Sequence, residues 1–209
     1  MMRIAQIKRR LAAFATIGLL ALGGCSLLPI AEEPPALFVL SPKNTFDEDM
    51  EYVNNQLLIE VPIAAEGLNS HRIALSRGLL SLDYFAKVRW TERAPLMIQT
   101  LIVESFENTR RIVSVAREGT DLRADYALKT ELREFQAEYT DDAGPPDVHV
   151  RMIAKVIKMP QRIIVASSSF ESIMPAGGTG IESIMMTFDE ALGKVLKHVV
   201  VWAMPIVEK

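Results

Sequence analysis

The chain has 209 residues, 23% of them charged, and a formal charge of −3 at neutral pH. Setting aside residues 1–24, which hold four basic and no acidic side chains, lowers that charge to −7, a balance that excludes nucleic acid and electrostatic docking onto anionic lipid. With a single cysteine no disulfide framework exists, and the remaining length of about 185 residues suits one domain with a hydrophobic core.

The first segment reads as a lipoprotein signal. Arg3, Lys8, Arg9 and Arg10 precede an apolar run from Leu11 to Leu22, too short to span a bilayer as a helix. Leu22-Gly23-Gly24-Cys25 closes it. The two glycines let an extended backbone enter a peptidase cleft, and the Cys25 thiol can form a thioether to diacylglycerol. The expected mature chain therefore begins at a lipid-modified Cys25 outside the cytoplasm, after a signal peptide of residues 1–24. Ser26 follows the cysteine instead of aspartate, a choice similar to an outer-membrane address in Gram-negative bacteria. Residues 25–36 form a tether: Pro29, Pro34 and Pro35 with Glu32 and Glu33 show no apolar period, so the segment stays extended and solvated. Its reach is roughly 35 Å at full extension.

Residues 37–209 form the expected single periplasmic domain. Phe38 and Leu40 predict a short strand before Pro42, and the polar, acidic stretch Lys43 to Asn55 a loop. Strands follow at Leu57–Val61 and Arg72–Leu75, with an extended stretch from Leu80 to Trp90 after the turn Ser76-Arg77-Gly78. Ile98, Leu101, Ile102, Ser105 and Phe106 make one stripe of a 3.6-residue period, a helix that starts near Pro95 and ends at Asn108–Thr109. Ile112 to Ala116 alternates again. From Tyr126 the even positions Leu128, Thr130 and Leu132 share a face, after which the phase flips to Phe135, Ala137 and Tyr139, as a bulge requires. Asp141 to Pro146 turns into a half-buried strand, Val148 to Val156, and Met159-Pro160-Gln161-Arg162 turns that into Ile163–Phe170. Thr179 and Glu182 have the spacing of a capping box. Beyond it Ile181, Ile184, Met185, Phe188, Leu192, Val195, Val199 and Trp202 form a long apolar stripe, ending before Pro205. The pattern predicts an α+β fold, two helices on one face of a mainly antiparallel sheet.

Candidate chemistry is sparse. His71, His149 and His198 show no metal-ligand spacing, and no cysteine remains for a structural zinc or a nucleophile once Cys25 is lipidated. Ser167, Ser168 and Ser169 lack a glycine-flanked elbow and read as a solvated strand face. Gly177-Gly178-Thr179-Gly180 lacks the lysine of a phosphate loop and reads as a flexible connection. Glu131, Glu134 and Glu138 fall on strand positions and read as a solvated face. Trp90 suits a core or junction role, while Trp202 and Val199-Val200-Val201 either bury against the sheet or cover a partner protein. No catalytic, cofactor or metal residue is expected, and the chain is read as a non-enzyme.

Several stretches together resemble a known family. These are FVLSP (Phe38 to Pro42), GLNSHRIAL (Gly67 to Leu75), RWTERAPLMIQTLIVESFENT (Arg89 to Thr109) and LRADYALKTELREFQAEY (Leu122 to Tyr139). In that order, behind a lipobox, they are similar to the ABC-type transport auxiliary lipoproteins, PqiC-like, associated with Mce-type lipid transport. Phe38 stands where the family more often has tyrosine. The resemblance implies a fold like the N-terminal domain of TolB and no catalytic residues. It also implies an outer-membrane lipoprotein working with an Mce-domain protein and an ABC permease and ATPase. A tubular partner presents repeated surfaces, which suits a homo-oligomeric ring. The loop Lys43–Asn55 and the segment Leu79–Trp90 are the expected contact surface. Two other readings remain: a periplasmic carrier holding lipid between sheet and helices, and an envelope-assembly lipoprotein unrelated to transport.

Overall fold

A long central strand organises the domain. The computed structural model describes residues 33–46, 49–78, 80–119, 123–140 and 144–209. Cys25, the lipobox and most of the tether lie outside the described residues. The strands are β1 (Ala36–Phe38), β2 (Val53–Ile59), β3 (Ile63–Ala64), β4 (Arg72–Ser76) and β5 (Asp83–Trp90), then β6 (Ile112–Arg117), β7 (Tyr126–Glu138), β8 (Asp147–Lys158) and β9 (Ile163–Pro175). Helix α1 (Ala94–Asn108) separates β5 from β6, and α2 (Ile181–Val207) closes the chain.

The whole of β7 pairs antiparallel with β8 along one edge, and β8 pairs antiparallel with β9. Along its other edge β7 takes β2, β3 and β4 in turn, all parallel to it: Ile59 opposite Leu128, Ala64 opposite Leu132, Ser76 opposite Glu138. Beyond these, β6 pairs with β2, β5 with β4, and β1 with β5. The long ladders are thus antiparallel, as the alternating sequence of β7 and β8 requires, while the short strands add parallel pairings that local pattern does not reveal. The fold is α+β, as expected.

Both helices cover one face of the sheet. That face presents Val148, Val150, Met152, Ala154 and Val156 from β8 and Leu128, Leu132, Phe135 and Ala137 from β7, all buried. The junction between sheet and helices is filled by Trp90, Phe135 and Phe188, whose ring centroids lie 5.2–5.5 Å apart pairwise. Trp90 is therefore a core residue. Gln99, the one buried amide of α1, donates to the carbonyl of Ile59 at 2.9 Å and ties the helix to β2. Ser105 accepts the Lys43 N–H at 2.9 Å and donates to Leu101, which holds the loop after β1 against the same helix.

Four local expectations change. Strand β2 starts at Val53, inside the stretch read as a loop, because Val53 is buried and pairs with Ile112 across a register shift that hides the period. Strand β9 runs past Phe170 to Pro175. The capping box does not form: Gly180 is the N-cap, no side chain caps the helix, and Glu182 instead places a carboxylate in the first turn, where it complements the helix dipole. Finally, α2 passes through Pro205 to Val207. So near its end the proline removes little of the hydrogen-bond ladder, and the Asn55 side chain donates to the Val207 carbonyl at 2.7 Å, satisfying a terminal acceptor.

Candidate functional site: a charged ladder beside an open groove

The face of the sheet away from the helices carries the polar chemistry, and the bulge in β7 puts it there. Before the bulge, odd positions such as Lys129 and Glu131 point away from the helices. The register shifts between Leu132 and Glu134, so that afterwards the even positions Glu134, Gln136 and Glu138 take that face. Without the extra residue these three would enter the core. Across the ladders Glu134 lies opposite Arg151, and Arg151 opposite Glu171; one step along, Gln136 lies opposite His149.

The result is a connected network. Imidazole Nδ1 of His149 lies 2.8 Å from Glu138 Oε1 and its Nε2 lies 2.7 Å from Glu171 Oε1. The Gln136 amide donates to Glu134 at 2.8 Å and to Glu138 at 2.9 Å. Arg151 donates to Glu134 through Nη2, and its Nε stands 3.8 Å from Glu171. Burial by itself would disfavour the imidazolium, but the hydrogen bonds to Glu171 and Glu138 and the nearby carboxylate charges outweigh it and raise the His149 pKa above 6.5. Burial likewise raises Glu134, yet hydrogen bonds from Gln136 and Arg151 win and leave it below 4.5.

Glu134, Glu138 and His149 bring ligand-type atoms within 4.8 Å of one another. Each is already engaged by Gln136, Arg151 or a carboxylate, so a cation would have to displace those partners; the arrangement is an ion-paired ladder. Nor is His149 poised as a general base, because both ring nitrogens face carboxylates. Ser167 and Ser169 lie exposed on β9, Ser168 points to the helix side, and His71 and His198 are exposed on separate elements. Thr179 is exposed on its glycine-rich loop.

Next to the ladder opens a groove of about 1230 Å³. Glu134, Gln136, Glu138 and His149 line one side, and Leu68, Leu80 and Leu82 line the other. The β4–β5 hairpin overhangs it, held by the Tyr84 hydroxyl, which donates to the Gly67 carbonyl at 3.0 Å. Gly67 packs closely under the hairpin: a Cβ there would lie 2.3 Å from Leu82 Cδ2, so the leucine side chain would have to shift.

The sequence placed Glu134 and Glu138 on a solvated face correctly but gave no sign that His149 and Glu171 join them. The phase flip in β7 and the alternation of β8 were the available signal; the three-strand register was needed to align them. Trp202 packs edge-on against Phe170 of β9, with ring centroids 5.4 Å apart, so most of its bulk is used against the sheet. Val201 beside it is 40% exposed. Among the described residues no helix is long and apolar enough to cross a membrane.

Comparisons agree with this fold. A crystal structure of protein XCC0632 from Xanthomonas campestris is 26% identical and superposes with a TM-score of 0.76, covering 82% of this chain and 95% of that one. A second crystal structure, of an uncharacterized protein, is 11% identical with a TM-score of 0.63, over 81% of this chain and 99% of that one, and shares the fold alone. An uncharacterized protein of Bradyrhizobium diazoefficiens, bll6063, is 24% identical over 123 residues, 56% of this chain; the match spans about a third of that relative's length (31%). The sequence profile of the ABC-type transport auxiliary lipoprotein component matches residues 38–200, from β1 into the last turns of α2. The chain belongs to the family of ABC-type transport auxiliary lipoprotein components.

Proposed function

We propose that this protein is a non-enzymatic lipoprotein that docks an Mce-type ABC lipid transport system at the outer membrane. Signal peptidase cleavage after Gly24 exposes Cys25, whose acyl chains hold the protein in the membrane, facing the periplasm. Residues 25–36 serve as the tether and 37–209 as the docking domain. The partners are an Mce-domain protein and the ABC permease and ATPase of the same system, with ATP hydrolysis on those subunits supplying the free energy. A homo-oligomeric ring would match repeated surfaces on a tubular partner.

The observation that carries this reading is the match of an ABC-transport auxiliary profile to nearly the whole domain. Two structural features support it. The space between sheet and helices, where a lipid carrier would hold its cargo, is filled by Trp90, Phe135 and Phe188. The only histidine in the charged ladder is committed to two carboxylates, which disfavours hydrolysis.

Affinity recovery from native membranes with Cys25 intact tests the proposal. Mce-domain and ABC subunits should co-purify, and their absence across several detergents would refute it. A Cys25→Ser chain should leave the membrane fraction, or persist as precursor, and lose transport function; full function without the anchor would overturn the mechanism.

A further inference from the structure

Strand β1 fixes the direction in which the backbone approaches the sheet at Ala36. Strand β1 runs parallel to β5, with Ala36 opposite Val88 and Phe38 opposite Trp90. Read backwards from Ala36, the backbone therefore heads toward Asp83, the end of β5 that carries the β4–β5 hairpin. Cys25 lies ten residues before Pro35, so at ~3.3 Å per residue the acylated end reaches roughly 33 Å beyond that point at most. An irregularity in β5 sets Arg89 opposite Arg72 and Asp83 opposite Leu75, so between the levels of Val88 and Asp83 the strand advances about 10 Å at most along the same direction. The start of β5 thus lies well within the distance that the tether can span.

Beside Arg77 and Ser81 that tip exposes two large apolar side chains. Leu80 is fully exposed and Leu82 about half-exposed. Gly78 at φ +106° supplies the turn that projects them, a conformation costly for other residues. The hairpin is braced from behind by Gly67 and Tyr84, so the leucines are presented on a supported arm.

We propose that the tip of the β4–β5 hairpin, with Leu80 foremost, dips into the headgroup–acyl boundary of the same bilayer that holds Cys25. It forms a second, apolar membrane contact, which fixes the domain's orientation. This rests on the reading of Cys25 as a lipid anchor. The contact is compatible with the net negative charge because it depends on apolar burial, not on charge attraction. The acyl chains supply retention, and the hairpin supplies orientation. In that pose β5 stands along the membrane normal, Thr91 is directed away from the bilayer, and the groove beside the charged ladder opens close to the lipid surface.

The test uses the full lipoprotein reconstituted into phosphatidylethanolamine–phosphatidylglycerol vesicles, with and without lipids brominated in the upper acyl chain. Leu80→Trp and Thr91→Trp are compared after subtraction of the parent emission from Trp90 and Trp202. Both positions are exposed, so neither substitution disturbs the core. The indole at position 80 should shift to the blue and lose most of its added emission on brominated vesicles, while that at position 91 should do neither. Equal responses at the two positions, or an unquenched position 80 in acylated, vesicle-bound protein, would overturn the hairpin contact and leave the anchor standing. Mass spectrometry of the same preparation separates the two ideas: an unacylated Cys25 overturns the anchor and the contact that rests on it.

Discussion

Replacing His149 by glutamine should uncouple stability from pH between mildly acidic and mildly alkaline conditions. The imidazole side chain is 13% exposed and sits between Glu138, 36% exposed, and Glu171, 48% exposed. Only the protonated ring can donate to both carboxylates; the neutral ring leaves one of them facing a lone pair. Because folding raises the pKa of His149 above 6.5, its contribution is complete below that value and disappears as pH rises through the folded-state pKa. The partly exposed carboxylates limit each pair to about 0.2–1 kcal/mol, so the two together contribute about 1 kcal/mol. In a domain of this size that is about 2–4 °C in Tm. Thermal unfolding of parent and His149→Gln at pH 5.5 and pH 8.5 measures it. The parent should lead the variant by about 2–4 °C at the lower pH and lose that lead at the higher one. A gap of the same size at both pH values would show that the ring is not held as a cation, and the electrostatic account of the ladder would fail.

Other expected outcomes follow from packing and charge. Phe188→Ala empties the centre of the Trp90–Phe135–Phe188 cluster and should cost about 3–5 kcal/mol in denaturant unfolding; a loss below about 1 kcal/mol would contradict a filled interior. Gly193→Ala, in α2 with open space where its Cβ would project, should gain about 0.5–1 kcal/mol, read as a higher urea midpoint at unchanged slope. Ser105→Ala strands the Lys43 N–H and should lower stability by about 1 kcal/mol, with faster amide exchange at Lys43 as the local signature. Arg151→Met removes a donor that holds Glu134 ionised; the Glu134 pKa, followed by carboxyl NMR, should move upward, and acid unfolding should begin at higher pH.

Much of the fold was legible because long elements repeat their period often enough to be read. Strands β7 and β8 alternate over 13 and 12 residues, and the apolar stripe of α2 spans 27. Even the β7 bulge showed as a phase change. Short or interrupted patterns were not legible. Val53 and Leu57 are both buried in β2, but the register shift and the polar Asn54, Asn55 and Gln56 between them mask the alternation. In β9 the inward sequence Phe170, Ser172, Met174 contains a serine, which ended the apparent strand early. The proline at 205 and the Thr179–Glu182 pair each carried a local rule that tertiary contacts overrode. The charged ladder depends on residues from three strands, and its alignment is a property of register that no single segment contains.

The placement of β7 also bears on how the molecule is made. Strands β2, β3 and β4 lie end to end along one flank of a strand that begins at Tyr126, more than sixty residues after β2 ends. Until that strand emerges, β2 has only β6 to pair with, β4 has only β5, and β3 has no partner strand. Parallel pairings between such distant segments form slowly, since the intervening loop must be closed before any contact rewards it. A chain built this way joins its two flanks into one sheet only late in its synthesis.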